Sequence, residues 1–108
     1  MNISFDFDNT LDSTQGTAYA IELMKRGYDI LVTTARPPTL YKDVFKLAKE
    51  IGVPLENIIF CGKVNKAYFL EDKDYIFHLD DKLTGVPREI LFNKYFRHFC
   101  EKAIEEYE

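Results

Sequence analysis

Tryptophan is absent from this chain of 108 residues, and cysteine, methionine, proline and glycine are scarce. The two cysteines, Cys61 and Cys100, are too few and too far apart for a disulfide scaffold or a four-ligand zinc site, so we expect reduced, packed thiols. The chain also has no internal repeat, no low-complexity tract and no Ser/Gly-rich linker. We therefore expect a single domain, residues 1–108.

Long hydrophobic runs are missing as well. No segment approaches the roughly 18 consecutive apolar residues of a membrane-spanning helix, and Met1 leads into an apolar strand without a basic and then hydrophobic leader. We therefore expect a soluble, cytoplasmic protein that has no membrane partner. The formal net charge of −4 disfavours a broad basic face that would bind a nucleic-acid backbone.

Two carboxylates stand at the end of the first apolar stretch, where Asp6 and Asp8 are separated by one residue. Side chains alternate along a strand, so both acids would point the same way. Two unit charges about 4 Å apart repel by roughly 4 kcal/mol at an effective dielectric near 20, so the pair requires a cation or a shared proton. We interpret the pair as part of a divalent metal site.

Two other interpretations of this pair are a solvated acidic turn and a fragment of a calcium loop. A calcium loop that began at Asp6 would need a glutamate at its twelfth position, where this chain has Thr17. The apolar residues before Asp6 also suit a buried strand better than the helix that precedes a calcium loop. This context favours a metal site at a strand end.

Segments with strand and helix periodicity alternate along the chain, which is typical of an α/β fold. We predict a Rossmann-like three-layer α/β/α sandwich with a mainly parallel sheet of about four strands and a core over about 1–83. The strands are predicted to begin at Ile3 and to span 28–34, 57–61 and 75–79, and the helices to span 17–26, 40–51, 65–71 and 88–107. No fifth strand is predicted.

Polar residues follow each of the four predicted strands. Parallel strands bring their carboxyl ends to one edge of a sheet, where α/β proteins build their sites. The residues at these ends are Asp6 and Asp8, Thr33 and Thr34, Cys61 and Gly62 shortly before two lysines, and Asp80 and Asp81. We therefore expect one site at this edge.

With these four motifs in this order, the sequence resembles the haloacid dehalogenase (HAD) superfamily, whose hydrolytic members are mostly magnesium-dependent phosphatases. The resemblance covers about the first 80 residues. The family's Asp-x-Asp-x-Thr motif matches residues 6–10, and its terminal acidic pair matches Asp80 and Asp81. Its Thr/Ser matches Thr34, with Thr33 as the alternative, and its lysine matches Lys66, with Lys63 as the alternative. Response-regulator receivers carry similar residues, but in an order that this chain does not follow.

The resemblance implies a phosphatase that works through an aspartyl-phosphate. Asp6 would be the nucleophile, and Asp8 would protonate the leaving group and later activate water. Thr34 and Lys66 would hold the phosphoryl oxygens.

The same resemblance implies a Mg²⁺ cofactor. The ion would lie between the Asp6 carboxylate, the Asp8 main-chain carbonyl and the acidic pair, with Asp81 as the direct ligand. Asp80 would act either through a water molecule or by supporting the direct ligands. The substrate would be a phosphomonoester of unknown identity.

Three further residues allow more than one interpretation. Arg36 would either bind a substrate anion or pair with a neighbouring acid. His78 and His98 are interpreted as packing or surface residues rather than catalysts. Asn9 stands where many relatives have a smaller residue, and we expect it to be tolerated because asparagine accepts turn conformations.

The intervals 11–17 and 36–39 are too short to hold the cap domain that many relatives carry, so we expect an open site. Either a large substrate or a neighbouring subunit would then cover it. This leaves two alternatives to a small-molecule phosphatase: a phosphatase of nucleic-acid ends or phosphoproteins, and a non-catalytic binding or regulatory module. Because no fifth strand is predicted, strand 75–79 would lie near a sheet edge that the last helix covers.

The C-terminal segment is unusually aromatic. Its apolar residues spread more widely than one stripe, so part of the surface would stay exposed after the helix packs on the sheet. The aromatic residues are Phe92, Tyr95, Phe96, Phe99 and Tyr107. We predict a homodimer through this helix, the alternative being a helix wholly absorbed by its own domain.

Overall fold

The computed structural model describes all residues, 1–108, as one α/β domain. Its strands are β1 Asn2–Phe5, β2 Asp29–Thr34, β3 Ile58–Phe60, β4 Tyr75–Asp80 and β5 Glu89–Leu91. Its helices are α1 Thr14–Lys25, α2 Lys42–Ile51, α3 Lys66–Leu70 and α4 Phe96–Tyr107. The predicted fold class is therefore confirmed. None of the helices combines the length and the apolar character that a membrane crossing requires.

All five strands are parallel and lie in the order β3-β2-β1-β4-β5. The chain moves outward from β1 through β2 to β3 and then returns to place β4 on the other side of β1. The topological switch point therefore lies between β1 and β4, and α/β sheets bind their ligands at the carboxyl ends of the strands at such a point.

The two faces of the sheet are covered unequally. Helices α1, α2 and α4 pack on one face, where they bury the main core around Phe5, Phe77 and Leu79. The opposite face is covered by the short helix α3 and by Val86. The second layer is thin, and the site lies beside it.

The prediction of only four strands is wrong, because Glu89–Leu91 forms a fifth strand beside β4. Strand β4 is therefore an interior strand and needs no helix to cover an edge. Strand β5 is difficult to predict from the sequence because it is short and because the loop 81–88 that precedes it contains no crossover helix. Arg88 adopts a left-handed conformation with φ 58°, its carbonyl accepts a hydrogen bond from the His78 backbone, and its guanidinium stacks on Tyr75.

The predicted helix over 88–107 is also wrong in its first part, since α4 begins at Phe96. Phe96 and Cys100 face the core and are buried. Tyr95, Phe99 and Tyr107 are exposed by 56%, 49% and 44%. The apolar residues before Phe96 have the spacing of a helical stripe, but residues 89–91 pair with β4 and form a strand instead.

Candidate active site

The first acid of the site stands at the end of β1 and leads into an irregular turn, Phe7–Leu11, which we call the site loop. The backbone nitrogen of Asp6 still bonds to Leu79 of β4, at 2.8 Å, so Asp6 is fixed between the two central strands. Asp8 is extended, and Asn9 has φ 60°. The expectation that asparagine suits this turn is confirmed, because asparagine reaches the left-handed region more readily than most residues.

Helix α1 packs closely against the site loop at Gly16. The hydroxyl of Ser13 caps α1 by accepting a hydrogen bond from the Gly16 nitrogen and donates one to the Thr10 carbonyl. A Cβ added at Gly16 would lie 1.7 Å from the Thr10 carbonyl oxygen. No side chain fits at position 16 unless the site loop moves.

We predict that Gly16→Ala destabilises the protein by about 1–3 kcal/mol, the usual cost of overpacking. Helix propensity alone would favour alanine by up to about 1 kcal/mol, so the two effects have opposite signs. Thermal unfolding measures the difference, with Gln15→Ala, an exposed neighbour in the same helix, as the control. A more stable Gly16→Ala variant would show that the Thr10 contact does not constrain the loop.

Lys66 joins the acids of β1 and β4. Its Nζ lies 2.7 Å from Asp6 Oδ1 and 2.7 Å from Asp80 Oδ2, and all three side chains are buried. Lys66 is the first residue of α3, whose N-cap Asn65 accepts a hydrogen bond from the Ala67 nitrogen. An ammonium group has three N–H donors, so one remains for a further acceptor.

The charges of this cluster are set by burial and by Lys66. Burial raises the pKa of Asp6 to about 7, and Asp80 and Asp81 add to the rise while Lys66 opposes it. Burial also acts to raise the pKa of Asp80, but hydrogen bonds from His78 and Lys66 hold it below its usual value. Burial acts to lower the pKa of Lys66, and Asp6 and Asp80 keep it above its usual value. Asp6 is thus the member whose charge the protein alone stabilises least.

The donor set fits a hard divalent cation. Carboxylate oxygens of Asp6, Asp80 and Asp81 all lie within 4.8 Å of one another. When ionised, these three acids and the one ammonium of Lys66 leave a formal charge of −2, and carboxylate oxygens are the ligands that Mg²⁺ prefers. Asp81 takes part in none of the ion pairs, so its carboxylate is free to bind a cation.

These residues line a small cleft of about 190 Å³ at the carboxyl edge of the sheet. Five of the residues predicted from the sequence line it together with four others. The nine are Asp6, Asp8, Asn9, Ala35, Lys66, Asp80, Asp81, Lys82 and Thr84. The structure thus brings both acidic motifs and one of the two candidate lysines to one place.

Asp8 is held by Arg36. The guanidinium lies 2.8 Å from Asp8 Oδ1 through Nη2 and 3.0 Å from Oδ2 through Nε, and it also stacks over Phe7. Of the two roles considered for Arg36, the structure shows the pair with a neighbouring acid. The Asp8 side chain is 47% exposed, so it can turn toward the cleft if it leaves Arg36.

The candidate threonines and the second candidate lysine do not line the cleft. Thr34 is fully buried at the end of β2, and its hydroxyl accepts a hydrogen bond from the Arg36 nitrogen. Thr33 is equally buried and bonds to Ser4. Lys63 is exposed and forms no ion pair with the acids, whereas Lys66 is in contact with two of them.

Two groups of residues at the site are not predicted from the sequence. Lys82 and Thr84 line the cleft from the loop after β4, and adjacency to Asp81 was the only signal for Lys82. His78 was treated as a packing or surface residue, but its Nε2 lies 2.9 Å from Asp80 Oδ2. The available signal was polar alternation, because Ser4 and Asp6 share one face of β1 as His78 and Asp80 share one face of β4.

No protein-family model, no curated protein and no solved structure matches this chain in the three comparisons that we made. The functional inference therefore depends on the residues of the site and on their geometry.

Proposed function

We propose that this protein is a magnesium-dependent phosphohydrolase that cleaves phosphomonoesters through an aspartyl-phosphate at Asp6, as its resemblance to the HAD superfamily implies. One observation carries the proposal. Asp6 at the end of β1 and Asp80 at the end of β4 both contact Lys66 at the topological switch point, with Asp81 beside them. A carboxylate that can act as a nucleophile, an ammonium group that can bind phosphate and the unpaired carboxylate of Asp81 thus lie in one cleft.

In the first step, the Asp6 carboxylate attacks phosphorus and the bond to the leaving oxygen breaks. The third N–H donor of Lys66 is available to a phosphoryl oxygen and would stabilise the charge that develops there. In the second step, water attacks the phosphorus of the aspartyl-phosphate, which releases inorganic phosphate and regenerates Asp6. Two steps with a covalent intermediate replace one very slow hydrolysis.

Asp8 supplies and recovers the proton. It protonates the leaving oxygen in the first step and takes a proton from the attacking water in the second. In the structure its carboxylate is held by Arg36, so Asp8 has to leave Arg36 before its carboxyl group can reach the leaving oxygen. The pair between Asp8 and Arg36 is therefore a resting arrangement in this proposal.

The residues that would hold Mg²⁺ are Asp6 and Asp81 through their carboxylates and Asp8 through its main-chain carbonyl. Asp80 accepts hydrogen bonds on both oxygens, from Lys66 and His78 on Oδ2 and from the Lys82 nitrogen on Oδ1, which favours a water-mediated role for it. When bound, Mg²⁺ neutralises charge on the phosphoryl oxygens and on the buried acids.

The open cleft favours a second candidate substrate class. The loop segments that follow β1 and β2 carry no cap domain, so the end of a nucleic acid or a phosphorylated protein segment can reach the cleft as readily as a small metabolite. The net charge of −4 makes a nucleic-acid end a less favoured substrate than a phosphorylated protein segment or a small metabolite.

Release of inorganic phosphate tests the proposal. The substrates to screen are phosphorylated metabolites, oligonucleotides with terminal phosphates and phosphopeptides, each with Mg²⁺ and with a chelator. We expect one class to be hydrolysed and the chelator to abolish the reaction. No hydrolysis of any class would instead favour a non-catalytic binding module.

We predict that Mg²⁺ at about 100 times its dissociation constant stabilises the fold by about 2.7 kcal/mol. For a domain of about this size, the melting temperature should rise by roughly 4–8 °C per kcal/mol. Asp81→Asn should abolish the rise, and Asp72→Asn, an exposed acid in a turn, should leave it unchanged. An unchanged melting curve in wild type, or a rise that survives Asp81→Asn, would contradict the proposed ligand set.

We also propose that the exposed aromatic side chains of α4 form a homodimer interface. Phe99 and Tyr107 are about half exposed on one helix, and aromatic residues are favoured in interface cores. Light scattering at micromolar concentration should give a dimer mass, and Phe99→Glu should give a folded monomer. Phe96 is unsuitable for this test because it is buried. A monomer mass for wild type would refute the interface.

A further inference from the structure

A chain of buried hydrogen-bonded side chains crosses the sheet behind the site. Thr33 Oγ1 lies 2.8 Å from Ser4 Oγ, and Ser4 Oγ lies 2.8 Å from His78 Nδ1. The chain ends where His78 Nε2 lies 2.9 Å from Asp80 Oδ2. It links β2, β1 and β4 on the thinly covered face, and each of its residues is no more than 1% exposed. The proposed reaction steps do not use Thr33, Ser4 or His78.

The direction of these hydrogen bonds follows from Asp80. An ionised carboxylate only accepts, so His78 Nε2 carries a proton that it donates to Asp80, and in this arrangement Nδ1 accepts from the Ser4 hydroxyl. Ser4 in turn accepts from Thr33. The assignment of these hydrogens is inferred from the network, in which every donor has an acceptor.

His78 contacts the same oxygen of Asp80 that Lys66 contacts. Two donors on Oδ2 and the Lys82 nitrogen on Oδ1 leave the carboxylate little freedom to rotate. A histidine that served packing alone would be replaceable by an apolar side chain, and an apolar side chain would avoid the cost of burying polar atoms in an interior strand. The placement of the ring against Asp80 gives it a further role.

We infer that His78 is a positioning residue for the metal site: backed by Ser4, it fixes the rotamer of Asp80 beside Asp6 and Asp81. This inference rests on the proposed function, because it assumes that these acids bind Mg²⁺. Groups that orient metal-binding side chains in this way typically change metal affinity by 10–100-fold when they are removed.

Mg²⁺ binding measured by titration calorimetry tests the inference without any substrate. His78→Phe keeps a ring of similar shape and removes both nitrogens, and we expect it to raise the dissociation constant by about 10–100-fold. His78→Gln can still donate an amide N–H to Asp80, so its affinity should stay close to wild type. Val44→Ala creates a defect in the core on the opposite face, and it should lower stability without changing Mg²⁺ affinity.

The outcomes separate this inference from the proposed function. Mg²⁺ binding by wild type and equally by His78→Phe would overturn only the inference, as would a His78→Gln variant as weak as His78→Phe. A wild-type protein that binds no Mg²⁺ would overturn both the proposed function and the inference.

A measurement on the unmodified side chain covers the case in which His78→Phe does not fold. Long-range nitrogen–proton NMR reports the tautomer of each imidazole, and the chain has only two histidines. His98 is exposed, so His98→Gln assigns the two signals. We expect a proton on Nε2 of His78, and we expect the signals of the ring to shift when Mg²⁺ is added. A neutral ring protonated at Nδ1, or signals that Mg²⁺ does not move, would overturn the inference.

Discussion

Asp6→Asn should reduce phosphate release by roughly 10³-fold or more and leave the protein folded, because the amide removes the nucleophile and nearly keeps its shape. The fold should accept this change. Burial already raises the pKa of Asp6 to about 7, so a neutral group at this position costs little. Turnover of the best substrate from the screen, together with a melting curve, measures both parts of this expectation.

The matched control for this variant is Asp72→Asn, which makes the same chemical change at an exposed turn that does not line the cleft. Its turnover should equal that of wild type. Asp8→Asn provides a second comparison, because the loss of a general acid is typically 10²–10⁴-fold and should be smallest for substrates whose leaving group needs no proton. Asp6→Asn turnover within a factor of about ten of wild type would exclude Asp6 as the nucleophile.

Lys66→Met should destabilise the protein by about 3–5 kcal/mol when Mg²⁺ is absent, since it removes the only cation from between two buried acids. Methionine keeps most of the apolar stem, so lost packing contributes little. Chemical denaturation gives the difference in unfolding free energy. The loss of unfolding free energy should be smaller when Mg²⁺ is added, because the bound Mg²⁺ can then neutralise the charge of Asp6 and Asp80 in place of Lys66.

Lys63→Met separates the two candidate lysines. Lys63 lies three residues earlier and is exposed, so its replacement should change stability by no more than about 0.5 kcal/mol. A Lys66→Met variant as stable as wild type in the absence of Mg²⁺ would show that the acids do not depend on this ammonium. Equal effects of both replacements would leave no special role for Lys66.

Much of the architecture follows from local patterns in the sequence. Apolar strand segments alternate with helical ones, and this alternation predicts the parallel sheet that the structure shows. Polar residues at strand ends then predict one site, and Asp6, Asp80, Asp81 and Lys66 do meet in a single cleft. These features are predictable because each strand end carries its own polar residues, and a parallel sheet brings these ends to one edge.

The features that could not be predicted depend on contacts between distant segments. Strand β5 is only three residues long, and pairing with β4 rather than intrinsic preference determines its conformation. Polar alternation places His78 and Asp80 on one face of β4, but the bonds from His78 to Ser4 and from Ser4 to Thr33 join three strands and follow from no local pattern. The pairing of Arg36 with Asp8 likewise depends on how close the ends of β1 and β2 lie.

The central claim is that Asp6 accepts a phosphoryl group with the help of Mg²⁺, and a measurement that needs no knowledge of the substrate tests it most directly. Beryllium trifluoride mimics a phosphoryl group bound to a carboxylate, and fluorine NMR detects it when it is bound to protein. We expect a bound signal in wild type and in Asp72→Asn that requires Mg²⁺ and is absent from Asp6→Asn. No bound signal in wild type with Mg²⁺, or a signal that persists in Asp6→Asn, would show that Asp6 is not the phosphoryl acceptor.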